Sequence, residues 1–269
     1  MPRLEETHKA VVLARGLGKR MRAAAPTAAL TPDQERVAEC GIKAMIPIGR
    51  PFLDYCLSAL ADAGCTKVCL VIGPEHGIIR EYYESLPTSR ISISFAVQEQ
   101  PLGTADAVRA AMHFVGSDPF LVVNSDNYYP VEALKLLRGV GGNGIVGFDR
   151  QALIENGNID EDRLRSYAVL RVNQNTELER IEEKPASLDA TALISMNSWS
   201  FTPSILEACA AIEPSARGEY ELPSAVQYAI ECMGERFRVI PFRGNVLDLS
   251  TRSDIESVGQ QLRGRSIQL

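Results

Sequence analysis

Histidine and tryptophan are scarce in this 269-residue chain, with three of the first and one of the second. His8, His76 and His113 lie too far apart to form a metal-binding pattern, so a histidine-built zinc site is excluded as an organising feature. The six cysteines contain no C-x-x-C pair, and Cys56, Cys65 and Cys69 fall in apolar stretches where free thiols pack. They read as reduced core residues. No segment approaches the roughly 18 to 20 consecutive apolar residues that span a bilayer, and the opening MPRLEETHK has no apolar centre. A soluble, cytoplasmic protein without a membrane partner is expected. Positive charge is also in deficit: 28 Lys and Arg stand against 34 Asp and Glu, a net charge of -6. No overall field exists to displace counterions from a nucleic-acid backbone, which argues against a nucleic-acid partner. Small phosphorylated ligands need only a local group of donors and remain open.

What is present is alternation. Short runs rich in Val, Ile and Leu occur at AVVLA (10–14), VCLVI (68–72), ISISFAV (91–97), FLVVN (120–124) and GIVGF (144–148), and their composition predicts strands. Between the first two, PFLDYCLSALADAG places Phe52, Cys56, Leu60 and Ala63 on one helical face, opening on proline and closing at Gly64. TADAVRAAMHFV repeats the pattern before FLVVN. Strands alternating with helices predict an α/β fold, with a mixed, mainly parallel sheet and helices on both faces. Ligands then bind beyond the carboxyl ends of the strands. After residue 150 come shorter strands (RSYAVLRVN, ELERIEEKP, ALISMNSWSF), helices near 203–212 and 220–233, and a final pair, FRVIPF and NVLDL. This half reads as an antiparallel addition to the same sheet. One domain over 1–269 is expected, its first half (about 1–150) facing one ligand and its second (about 151–256) another. No hexapeptide array or other internal repeat is present.

Directly after the first strand, R-G-L-G-K-R-M-R (15–22) joins two glycines to four basic side chains. Glycines let backbone N–H groups approach phosphate oxygens that Lys19 or Arg20 could neutralise. Alone the loop is weak evidence, and it is neither a Walker A sequence nor a dinucleotide fingerprint. Read in order with K-A-M-I-P-I-G-R-P, Q-E-Q-P-L-G-T-A-D-A, E-E-K-P and L-D-L-S-T, it resembles the sugar-phosphate nucleotidyltransferase family over residues 10 to 256. That resemblance implies a Rossmann-like, GT-A-like fold. It also implies two substrates, a nucleoside triphosphate and a sugar 1-phosphate, joined with release of pyrophosphate.

The resemblance assigns roles residue by residue. Leu13, Ala14, Gly16, Gly18 and Thr104 belong to the nucleotide site. Arg20 would draw charge from the leaving pyrophosphate, and Lys43 would contact phosphate oxygens near the reacting phosphorus. Gln98, through an amide that both donates and accepts, and Gly103, through close backbone approach, would meet the base. Asp126 and Asp248 would hold Mg2+, a hard cation that prefers carboxylate and phosphate oxygens. Lys184 would hold the sugar phosphate, which makes it catalytic with Arg20 and Lys43, and Glu183 would reach sugar hydroxyls. Asn197 and Glu219 are further hydroxyl contacts, while Ala168, where the family has glycine in Y-G-V, would narrow the pocket. Trp199 is assigned to the core.

Several positions depart from the family pattern. Arg15 stands where alanine or glycine is usual and Lys19 where threonine or serine is common. Ser125 replaces a glycine before Asp126, and the tryptophan, glycine and proline usual around Asp248 are missing. Residues 23–41 are an insertion between the loop and Lys43, containing a helix started by Thr31 with Pro32 at its first position. It reads equally as a lid or as a surface insertion. The departures also leave open a same-fold transferase acting on another phosphorylated alcohol or phosphonate, and a sugar-nucleotide sensor without turnover. The base, the sugar and the oligomeric state, including a homo-oligomer, are not fixed by the sequence.

Overall fold

The computed structural model describes residues 6–23, 25, 28–183, 185, 188, 189 and 191–269. Its first half runs β1 (Lys9–Leu13), α1 (Lys19–Arg22), α2 (Pro32–Cys40), β2 (Pro47–Ile48), β3 (Arg50–Pro51), α3 (Phe52–Ala63), β4 (Lys67–Ile72), α4 (Gly77–Ser85), β5 (Ser92–Val97), α5 (Thr104–Ala110), α6 (Met112–Val115), β6 (Phe120–Asn124), β7 (Asn127–Tyr128), α7 (Val131–Arg138) and β8 (Gly144–Asp149). The second half continues with α8 (Arg150–Asn156), α9 (Glu161–Leu164), β9 (Val169–Val172), β10 (Leu178–Glu182), β11 (Leu193–Phe201), α10 (Ile205–Ala211), α11 (Leu222–Met233), β12 (Arg238–Phe242), β13 (Leu247–Asp248) and α12 (Asp254–Leu262).

A nine-stranded sheet forms the middle layer, in the order β10-β9-β11-β6-β1-β4-β5, with β8 alongside β11 and β12 alongside β8. The pairs β1–β4, β1–β6 and β4–β5 are parallel, as buried Val/Ile/Leu runs linked by helical crossovers require. Alternation along β1 sends Ala10 and Val12 into one core and Val11 into the other. Each of those cores is covered by helices: α3 and α7 on the first side, α5, α10 and α11 on the second.

The second half is antiparallel only in part. β11 runs antiparallel to β6, β8 and β9, and β10 antiparallel to β9, as the sequence predicts. FRVIPF, however, becomes β12 and lies parallel to β8, because it runs opposite to β11, the strand before it, and β11 itself runs opposite to β8. NVLDL leaves the main sheet, and β13 pairs antiparallel with β7.

One irregularity opens the ligand cleft. The first part of β11 lies between β8 and β9, and its last part between β8 and β6, with the register breaking between Ser195 and Trp199. Asn197 sits in that break at a φ of 55°, a left-handed conformation that asparagine tolerates better than most residues. The buried hydroxyl of Tyr129 donates to the Met196 carbonyl at 2.7 Å and fixes the bulge. The sheet therefore forks beyond the carboxyl end of β6.

Candidate active site

Three contiguous cavities of about 380, 150 and 400 Å³ fill this fork. Asn124, the last residue of β6, lines all three. Arg20 and Asp126 border both the first and the third, whereas Leu13, Thr104 and Glu219 border the first and the second. Glu183, Asn197 and Arg217 join the second to the third. Apart from Ala168, the sequence-predicted residues of both halves thus face one cleft, with Lys184 outside the described residues.

The basic loop uses its glycines differently. A methyl at Gly16 would meet no heavy atom within 4 Å, so its backbone faces open cleft. Gly18 is left-handed (φ 59°), and a Cβ there would stand 2.1 Å from the Gly41 carbonyl oxygen. Gly18 thus lets the loop pack closely on the inserted segment while it also lines the first cavity. Within that segment α2 lies at the surface and not over the cleft, so it is a surface insertion and not a lid. Thr31 caps α2 in a capping box with Gln34, as its sequence predicts. The helix is docked: the Gln34 amide donates to Pro47 O at 2.9 Å, Arg22 donates to Cys40 O, and Glu35 pairs with buried Arg252. None of residues 32–40 lines the three cavities, so α2 braces the loop from behind.

Arg15 turns away from the cleft's open side. Its guanidinium donates to the Gln98 carbonyl and to both Glu75 oxygens at 3.1 and 3.2 Å, above Gly73 where a Cβ would collide with it. Burial tends to raise the Glu75 carboxyl, but its own backbone N–H and Arg15 outweigh that and hold it below the ordinary value. The side chain of Gln98 is nearly enclosed, with Nε2 given to Gly103 O (2.9 Å) and Asp106 (2.8 Å). This fixes the amide orientation before any ligand arrives. Gly103 likewise meets protein, since a Cβ there would lie 2.4 Å from Tyr220 O. Thr104 accepts from the Leu222 N–H at 2.8 Å, and so ties α5 to the start of α11.

The carboxylate centre lies where β7 pairs with β13. Asp126 precedes β7, its carbonyl accepts from Leu249 N–H at 2.8 Å, and its carboxylate is ion-paired with Lys43. Asp248 is buried. Burial, and then the negative charge of Asp126, raise its carboxyl above the ordinary value, against the opposing pull of Arg163, Tyr167 and Lys43. Two carboxylates that repel one another across a polar cavity suit a hard cation with oxygen ligands, the remaining positions going to substrate oxygens. Among the described residues no group of three His, Cys, Asp or Glu could hold a metal, so the pair stands as the candidate.

On the acceptor side, Glu183 and Glu219 are exposed at the cavity wall, and Asn197 projects from the bulge. Ala168 does not narrow the pocket: it is buried, with its carbonyl accepting from Ser195 N–H, and Tyr167 is the neighbour that lines the third cavity. Trp199 is fully enclosed and stacks on Phe201 at 5.5 Å. Sequence reasoning missed Asn124, Arg217 and Arg163. Arg217, paired with Glu221 at 2.9 Å, immediately precedes the G-E-Y-E-L segment, and Asn124 is the only polar residue of its strand; both were visible signals. Arg163 carried none.

Residues 9–262 match the family model described as Nucleotidyl transferase. The chain belongs to this family. Like other sugar-phosphate nucleotidyltransferases, it has relatives that differ in nucleotide. It is 28% identical over 261 residues to the UTP–glucose-1-phosphate uridylyltransferase AglF of Haloferax volcanii, covering 97% of this chain and 98% of that one. It is 29% identical over 256 residues to the glucose-1-phosphate thymidylyltransferase of Streptomyces griseus, covering 94% of this chain but 65% of the relative. Among solved structures, a UDP-glucose pyrophosphorylase complexed with UDP-glucose superimposes with a TM-score of 0.72 at 18% identity, covering 94% and 97% of the two chains. The UDP-glucose pyrophosphorylase of Acinetobacter baumannii gives 0.72 at 16%, covering 96% and 95%. These two establish the nucleotidyltransferase fold, a mixed, mostly parallel α/β sheet. Nucleotidyltransferases of this family generally use a divalent metal. Among the described residues, no helix is long and apolar enough to cross a membrane.

Proposed function

We propose that this chain couples a nucleoside triphosphate to a sugar 1-phosphate, producing an NDP-sugar and pyrophosphate. The observation that carries the reading is the continuity of the cleft: the basic loop, the Asp126–Asp248 pair and the acceptor wall of Glu183, Asn197 and Arg217 meet around Asn124. A phosphate oxygen of the acceptor attacks the α-phosphorus in line while pyrophosphate leaves, so no enzyme nucleophile is needed. Catalysis is then orientation and charge neutralisation.

The loop around Gly16 offers backbone N–H groups to the triphosphate, and Arg20, which has no ion-pair partner among the described residues, neutralises the departing pyrophosphate. Lys43 exchanges part of its contact with Asp126 for phosphate oxygens. Arg217 and Lys184 receive the acceptor phosphate, Lys184 on its E-K-P position alone. Asn197, Glu183 and Glu219 select its hydroxyls. Asp126 and Asp248 would hold Mg2+, which would supply Lewis-acid stabilisation of charge on the phosphates. Leu13, Ala14 and Thr104 form the floor under the nucleoside, with Gln98 and Gly103 beside the base.

Pyrophosphate release across a grid of nucleoside triphosphates and sugar 1-phosphates tests the reading. One or a few pairs should turn over, and Asp126→Asn should abolish turnover with the fold intact. Arg20→Ala should lose roughly 100- to 1,000-fold in kcat, the usual consequence of removing one donor aimed at developing charge. Turnover with no sugar 1-phosphate but with another phosphorylated acceptor would replace the substrate assignment. Full activity of Asp126→Asn would remove the metal assignment.

A further inference from the structure

The segment N-I-D-E-D-R (158–163) has no part in the proposed reaction, yet it grips one of the two carboxylate residues through Asn158 and Arg163. Asn158 pairs with the backbone of Asp248 from both sides: its Nδ2 donates to Asp248 O at 2.7 Å and its Oδ1 accepts from Asp248 N–H at 2.9 Å. Arg163 approaches the side chain, Nη2 lying 2.6 Å from Asp248 Oδ2 while Nη1 lies 2.7 Å from Asp254 Oδ1. Asp254 in turn accepts from the N–H groups of Ser250 and Thr251, so the fork is anchored to the turn that carries Asp248. The Tyr167 hydroxyl donates to the same Oδ2. Ser250 Oγ is 3.0 Å from Oδ1 and 3.2 Å from Oδ2.

The two oxygens are therefore unequal. A carboxylate oxygen has about two lone-pair sites. Those of Oδ2 are taken by Arg163 and Tyr167, whereas Oδ1 has only Ser250 and retains a direction for a ligand. We propose that Arg163, with Tyr167, is a positioning residue that restricts Asp248 to a single-oxygen contact with the divalent cation. This rests on the metal reading above and sharpens it. A small cation with strict octahedral geometry accepts single-oxygen carboxylates, whereas a larger one gains from taking both oxygens. The clamp thus favours Mg2+ over Ca2+ through protein geometry.

The test is binding, not turnover. Free Mn2+ is followed by electron paramagnetic resonance as the full chain is added, and is then displaced by Mg2+ or Ca2+. Wild type should bind Mn2+ and release it at lower Mg2+ than Ca2+, and Asp126→Asn should lose the site. Arg163→Met should weaken Mn2+ binding by roughly 10- to 100-fold, the range seen when partners of metal ligands are removed. It should also move the displacement ratio towards Ca2+. Tyr167→Phe frees the same oxygen without changing charge and should move the ratio in the same direction by less, which keeps the test alive where Arg163→Met does not fold. An unchanged ratio in folded Tyr167→Phe and Arg163→Met overturns the clamp, since a merely structural role would lower stability without altering cation preference. Wild type that binds no Mn2+ either alone or with a nucleotide present sinks the metal reading itself, a result distinct from the first.

Discussion

Gly16 and Gly18 are two residues apart in the same loop, and the structure predicts opposite consequences for the same added methyl. Alanine at Gly18 must adopt a left-handed conformation, which costs about 1–2 kcal/mol. Its Cβ would also fall 2.1 Å from Gly41 O, so that the end of α2 has to retreat by about 1 Å. Overpacking of that kind typically adds about 1–3 kcal/mol. A total of about 3 kcal/mol corresponds to a fall in Tm of roughly 6–12 °C for a chain of this size. If undocking of α2 is cheaper than the clash, the same loss emerges as faster tryptic cleavage between Lys19 and Arg36. Alanine at Gly16 meets nothing and needs no left-handed backbone, so its stability should stay within about 0.5 kcal/mol of wild type or rise slightly. Its methyl, however, stands on the phosphate side of the cleft and should lower pyrophosphate release at least roughly tenfold, equivalent to about 1.4 kcal/mol. Calorimetry, limited trypsin digestion and a pyrophosphate assay on both variants decide the matter. Gly18→Ala with unchanged Tm and unchanged proteolysis, or Gly16→Ala with full activity, would refute the division of labour.

Three further outcomes are expected. Asp54, fully buried, accepts from Tyr83 (2.8 Å), Tyr82 (3.0 Å) and Arg50 (2.7 Å), so Asp54→Ala should cost about 3 kcal/mol by urea unfolding, and Asp54→Asn clearly less. His76 accepts from Gly73 N–H, and burial, helped by Arg15 and Arg22 against Glu75, lowers its pKa. The unfolded chain then binds the extra proton first, so this contribution is present above the ordinary value of 6.5 and shrinks as pH falls below it. Unfolding of wild type and His76→Asn at pH 7.5 and 5.5 should show their stability difference shrinking at the lower pH; a constant difference contradicts the assignment. Burial pushes the thiols of Cys65 and Cys209 up to about 12 and that of Cys69 to about 11, and raises Cys56 well above its ordinary value. Only the exposed Cys40 and Cys232 should react with a thiol reagent in the native protein, and all six in denaturant.

Local periodicity made the parallel half legible, because a buried strand and its crossover helix each leave a compositional mark within a dozen residues. FRVIPF looked no different from an antiparallel strand, since direction depends on which strands it follows and pairs with rather than on the strand itself. The cleft was legible where a charged residue stands at a spaced position, as with Arg20, Lys43 and Asp126, which line one cavity. The pattern was silent on packing: Gly18 and Gly103, which line the first cavity, are also required by the backbones of Gly41 and Tyr220, and nothing in a one-dimensional pattern reveals such a collision with protein. Arg163 was invisible because its partners, Asp248 and Asp254, lie 85 and 91 residues away.

The docking of α2 has a practical corollary for anyone exchanging parts between relatives. Through Gly18 with Gly41, Arg22 with Cys40, and Glu35 with Arg252, the basic loop is stitched to the turn that follows Asp248. Replacing residues 15–22 alone by the sequence of a relative lacking the insertion would leave the Cys40 carbonyl without Arg22 and the Gly41 turn without the glycine it packs against. The transferable module is discontinuous: the loop, the inserted helix and Arg252 must travel together, or none of them should.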